Sequence, residues 1–146
     1  MRESFGGAFM IKVVLVFIVV YVSFMAVAIN YAKSFSVKNN VINILEQYKY
    51  NGNMDNNMKD RLTTYLNSVP YNMSDNSSLE THCKKQKEQN GKDPVFVENG
   101  VCIVENPSSK DNLKYFKVIT YISIDFPFFN IHMTIPISGE TKSIYT

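Results

Sequence analysis

The spacing of apolar positions changes along the chain, and each change marks an element. From Val13 to Ile29 the run VVLVFIVVYVSFMAVAI carries no charge, and only Tyr21 and Ser23 bear a side-chain polar group. At about 1.5 Å per residue it covers roughly 25 Å, and Phe9 to Ile11 extend it toward the ~30 Å hydrocarbon core of a bilayer. Lys12 interrupts the extension, but its long stem lets the ammonium snorkel to the headgroups. Lipid offers backbone groups no partners, so the run predicts a membrane helix with its hydrogen bonds made internally. Past it, Val37, Val41, Ile44, Leu45 and Tyr48 recur on one face of a 3.6-residue period, with Lys38, Asn39, Asn43, Glu46 and Gln47 elsewhere. No Gly or Pro stands between Ala8 and Tyr50. The pattern therefore predicts one rod of roughly 63 Å, in which the membrane helix continues into an amphipathic half.

Asn51-Gly52-Asn53 stops that rod, with Gly52 suited to a left-handed cap. Asp55 is the expected N-cap of a second helix to about Asn67, whose Met58, Leu62, Tyr65 and Leu66 share a face and have the Val37 to Tyr48 stripe as their natural cover. From Pro70 to Asp93 the chain is polar and rich in turn formers, which predicts surface loop. The period then becomes two. Val95-Phe96-Val97 and Val101-Cys102-Ile103-Val104 flank Glu98-Asn99-Gly100, a hairpin pattern, and Asn106-Pro107-Ser108-Ser109 is expected to turn the chain. Phe116, Val118, Ile122, Ile124 and Phe126 line one face of a long strand, interrupted by Thr120, with Lys117, Ser123 and Asp125 opposite. Pro127 ends it, and Phe129, Ile131, Met133, Ile135 and Ile137 alternate along a last strand that Pro136 confines to an edge or bulge. Rod, short helix and an antiparallel sheet of about three to five strands, whose apolar face covers the stripe, make an α+β protein.

Length and charge narrow the reading. A chain of 146 residues with one membrane segment leaves room for a single domain outside the bilayer. The formal net charge is +2 with acidic and basic residues interspersed, which does not suggest nucleic acid as a partner. Basic residues flank both ends of the span, so the orientation rests on the short basic lead: residues 1–12 are read as a cytoplasmic leader, 13–29 as the transmembrane helix and 30–146 as the extracytoplasmic domain. Ala26-Val27-Ala28 also matches the small-x-small pattern of a signal-peptidase site, and cleavage there would release a secreted or anchored binding module. Gly6-Gly7 before the apolar run offers a third processing pattern, a cut after Gly7 that makes Ala8 the new N-terminus. If the span pairs with other helices, Ser23, Ala26 and Ala28 are its small residues for close approach.

Candidate chemistry is sparse. Cys83 and Cys102, in an exported domain, suit a disulfide closing a loop of about 18 residues, worth roughly 3 kcal/mol in the loop-entropy picture. Two buried or free thiols are the alternative. His82 and His132 complete four possible zinc ligands, but adjacent His82 and Cys83 are poorly placed to bind one ion and the paired spacings of a zinc site are missing. The Lys84, Lys85, Lys87 and Lys92 run reads as a solvated loop, with contact to anionic lipid or cell-wall polymer as the alternative. No nucleophile elbow, no zinc-protease helix and no phosphate loop is present, so neither an enzyme nor a cofactor or small-molecule substrate is expected.

The tail VITYISIDFPFFNIHMTIPISGETK resembles TadE-like proteins, pilin-like minor components of tight-adherence pilus systems. The resemblance lies in Val118 to Asp125, the turn Phe126-Pro127-Phe128-Phe129 and the segment Ile135-Pro136-Ile137-Ser138-Gly139, together with a leader glycine before an apolar helix. It implies a pilin-like fold, a non-enzymatic role in assembling a pilus or secretion apparatus, and as partners the membrane and other pilin-like subunits or the secretion machinery. One position departs. Prepilin-type substrates carry a glutamate at the fifth mature residue; counted from Ala8 that residue is Lys12, and counted from Gly7 it is Ile11. A lysine does not accept a neighbouring subunit's terminal amine, which turns the expectation toward an accessory or initiating subunit.

Overall fold

The structure, a computed structural model, describes residues 2–47, 54–69, 76–87, 94–107, 113–126 and 131–145. A first helix α1 (Arg2–Gln47, 46 residues) runs without a break, roughly 69 Å at 1.5 Å per residue. It is followed by α2 (Asn56–Ser68), α3 (Asn76–Lys87) and the strands β1 (Pro94–Glu98), β2 (Val101–Pro107), β3 (Leu113–Phe126), β4 (Ile131–Glu140) and β5 (Ile144–Tyr145). The strands form one antiparallel sheet in the order β1-β2-β3-β4, with β5 pairing the start of β3. The protein is α+β, a long N-terminal helix laid on a small antiparallel sheet, as the periodicity predicts.

The rod forms because nothing in it breaks a helix, and its second half stays put because of one stripe. Val37, Val41 and Leu45 are fully buried, worth about 1.5–3 kcal/mol each against exposure. They share a core with Met58, Leu62 and Leu66 of α2 and with Phe96, Val101, Ile103, Phe116 and Val118 of the sheet. Asp55 does occupy the N-cap of α2, where its carbonyl accepts the first helical bonds from the Met58 and Lys59 amides at 3.0 and 3.1 Å, but its carboxylate makes no cap bond. The expected stop at Asn51-Gly52-Asn53, and Tyr48, lie outside the described residues. The hairpin is as expected. Glu98 pairs with Val101, and Asn99 and Gly100 take positive φ of 45° and 73°, the backbone of a two-residue turn that follows the strand twist.

Several expectations are overturned, with a shared cause. The stretch read as surface loop contains α3, because Leu79 and Cys83, one turn apart, are both fully buried against Cys102, Val104, Ile119 and Tyr121. Two apolar residues in a polar window give too weak a period to see in sequence. The sheet consequently buries both faces at its centre, and Ile119 and Tyr121, which have no place in a one-sided alternation, belong to the α3 side. Asn106 and Pro107, read as part of a turn, continue β2 in register with Tyr115 and Lys114, while Ser108 and Ser109 lie outside the described residues. Lys38, placed off the apolar face of α1 by the spacing, is only 8% exposed. Pro136 does lie on an edge strand, where its missing N–H is tolerated. Pro127 to Asn130 lie outside the described residues, as do the side chains of Phe126, Ile131 and His132.

Candidate membrane anchor and its junction with the sheet

The N-terminal half of α1 is an apolar surface with nothing on it. Phe9, Ile11, Phe17 and Phe24 are 64% to 74% exposed, and the most apolar stretch of the helix is entirely uncovered. In water such a surface is unfavourable by about 25 cal/mol per Å², whereas in lipid it is at rest. The helix is long and apolar enough to cross a bilayer. Ser23, the one serine of the run Val13 to Ile29, donates to the Val19 carbonyl at 2.9 Å, so that group needs no water.

The predicted leader residues Gly6 and Gly7 are helical, within the first turns of α1, and a side chain at either would meet nothing within 4 Å. Ala8 follows them on the same exposed helix. Of the predicted packing residues, Ser23 is half-buried while Ala26 and Ala28 are exposed. At about 100° per residue Ala26 and Ala28 point some 160° apart, so no single face holds all three. Ala28 instead shares a face with exposed Ala32, one turn on, which the sequence reading did not use.

Above the apolar surface comes a junction. Val27 packs on Ile122, Ile124 and Ile137 with Ile135 beside them, so the sheet begins within the predicted span. Higher up, α1 and β4 cross at Gly139. A side chain there would stand 2.9 Å from Ile42 Cδ1, 2.9 Å from Lys38 Cδ and 3.1 Å from Lys38 Cε. The glycine is what lets the lysine stem lie flat between helix and strand, and the Lys38 ammonium ends 4.1 Å from the centre of the Phe35 ring. Sequence reasoning missed this crossing, although a glycine inside an otherwise alternating strand is a known sign of close backbone approach. Two clasps close the upper end. The Phe116 amide donates to Thr141 Oγ1 while the Thr141 amide donates to the Phe116 carbonyl, both at 2.9 Å, and the Lys142 amide donates to Glu46 Oε1 at 3.0 Å.

On the other face Cys83 and Cys102 are joined as a disulfide with Cα atoms 6.1 Å apart, tying α3 to β2. His82 sets its ring 5.8 Å from that of Tyr121, whose hydroxyl pKa is pushed up by burial. The exposed Glu80–Lys84 pair at 2.8 Å holds the Glu80 carboxyl below its ordinary range. Between α2, α3 and the hairpin turn lies a shallow cleft of about 560 Å³. Its polar groups are used on each other, Thr63 Oγ1 donating to Glu98 and Asn99 to Asn67, each at 2.9 Å. Among the described residues no three metal-ligating side chains gather.

These features define an α+β chain with an exposed apolar N-terminal helix, long enough to span a bilayer, that also serves as the spine of a disulfide-tied sheet domain. No family model matches the chain, and neither a curated protein nor a solved structure matches it.

Proposed function

We propose that this protein is a non-enzymatic, single-span membrane subunit of TadE-like, pilin-like type, which takes part in assembling a pilus or related secretion apparatus with its C-terminal domain outside the cytoplasm. What supports the reading most is that one unbroken helix carries both the uncovered apolar surface and the stripe that holds the sheet. A force or a lateral contact applied to the anchor is thereby delivered to the domain without an intervening hinge. The exposed Phe17, Tyr21 and Phe24 rings offer the anchor's partners a rough apolar surface, and the Ala28 and Ala32 side offers a smooth one where another helix can approach closely. Lys12, in place of the glutamate that seats subunits in a filament core, fits a subunit that starts or accompanies assembly.

The test is the mass and N-terminus of the chain recovered from cells, with its distribution between membrane and soluble fractions. The expected result is a membrane-bound chain beginning at Met1 or at Ala8, with a photocrosslinker at Ala32 capturing another envelope helix and an Ala28→Leu change abolishing the capture. A soluble chain that begins at Ile29 overturns the reading in favour of a secreted module.

A further inference from the structure

Helix α1 and strand β3 run in opposite directions along each other. Phe116 and Val118 share a core with Val37, Val41 and Leu45, whereas Val27 packs against the cluster of Ile122, Ile124 and Ile137. Following β3 toward its C-terminal end therefore means descending α1 toward the span. Tyr31 and Lys33 are both exposed on α1 just past the apolar run, and aromatic rings and ammonium groups in that position sit at headgroup level. Val27 is four residues nearer the span, about 6 Å deeper. The opposite end of the helix leads to the same depth. With the Lys12 ammonium snorkelled outward, the apolar helix from Phe9 to Ala26 covers about 27 Å, less than the ~30 Å of hydrocarbon it has to cross. The lipid layer reaches Val27 by either measure.

Whatever packs on Val27 has to come down with it. Met133, the register partner of Ile124, lies two residues beyond Ile135 on edge strand β4, about 7 Å further toward that end. It is 49% exposed. We propose that the β3–β4 end of the sheet is seated in the headgroup and upper acyl layer of the bilayer that α1 spans, with Met133 against lipid. Resting on the membrane reading above, this goes further: the domain meets the bilayer at two places, the helix and the sheet end, and two places fix the tilt and rotation of the helix where one leaves them free. Lipid is the occupant the position selects, since Met133 lies at the end of the sheet nearest the span and exposed Phe24, one turn below Val27, is about 60° from it around the helix.

The chain contains no tryptophan, so single-tryptophan variants of the full chain report on one place each. Met133→Trp sits at the sheet end, Phe17→Trp in the span and Lys59→Trp on α2, far from both; all are exposed positions that accommodate the larger ring. Each is placed in phosphatidylcholine nanodiscs holding one chain per disc, with unbrominated acyl chains, with chains brominated near the headgroup and with chains brominated near their ends. The expected result is a blue-shifted emission that loses most of its intensity to the shallow bromines for Met133→Trp and to the deep bromines for Phe17→Trp, and none to either for Lys59→Trp. If Phe17→Trp is quenched and Met133→Trp behaves like Lys59→Trp, the seating is overturned and the membrane span stands. If Phe17→Trp is not quenched, the span fails and the seating with it. Protection of Met133→Trp only in discs carrying several chains overturns the seating in favour of contact between copies.

Discussion

A half-buried and a fully buried position on the α1 side of the sheet show how single atoms decide the packing. At Gly139 the obstacles to a side chain are the ends of Ile42 and Lys38, which are flexible, so the cost of a substitution grows with its size rather than appearing at once. Gly139→Ala is expected to cost about 1 kcal/mol and Gly139→Val about 3 kcal/mol in urea unfolding of the full chain in detergent. Equal stability of both variants with the native chain would mean that β4 does not press on α1 there. Thr120 raises the opposite question. It sits fully buried between register partners Val101 and Ile137, and among the described residues its hydroxyl has no hydrogen-bond partner. A buried hydroxyl without a partner is costly, so Thr120→Val is expected to stabilise the chain by about 1 kcal/mol. A loss of stability on that change would reveal a partner. This is also the residue that interrupts the alternation in the sequence; the face reading through it was right, and the hydroxyl is simply carried inside.

At the scale of elements, α3 and α1 are held by different means. The stripe of α1 repeats over several turns, so its packing was readable from spacing alone. α3 rests on Leu79, Cys83 and one cross-link, with the Glu80–Lys84 pair on its exposed side adding little. Removing the cross-link is therefore expected to loosen α3 before anything else. In the Cys83→Ser, Cys102→Ser double variant, stability should fall by about 2–4 kcal/mol, and hydrogen exchange should speed up across 79–84 while 101–104 and 116–122 remain protected. Uniform loss of protection across the sheet would show that α3 is integral to the core rather than fastened onto it. The loop prediction for this stretch failed for the same reason: its helix is specified by a partner on β2, nineteen residues on in the chain, and local propensity carries only half of that information.

For the molecule as a whole, the consequence of a single rod is that the anchor and the domain are mechanically one body. Ala32 lies on the exposed side of α1, between the apolar run and the buried stripe, and touches neither core. A proline there removes the bond to the Ala28 carbonyl and clashes with the preceding turn, at about 3 kcal/mol. Because Val27 below and Val37 above are docked on one sheet, the kink cannot be absorbed by free rotation. Ala32→Pro is thus expected to destabilise the domain itself, read as a lower urea midpoint for the Cys102 to Ile122 strands. A domain indifferent to that change would mean that the rod consists of two separately held helices with a joint between them.

The primary structure by itself determined the rod, its apolar half, the stripe, the hairpin turn and the edge position of Pro136. Each is written in neighbours a few residues apart, where helix and strand periods act. Only the tertiary structure decided that the sheet is covered on its second face, that Lys38 lies inward beneath Gly139, and that the sheet reaches down to Val27 within the predicted span. Those outcomes depend on which surfaces meet across long separations, as when Glu46 receives the Lys142 amide. A period says which residues are buried together along one element, but not how far along another element they come to rest.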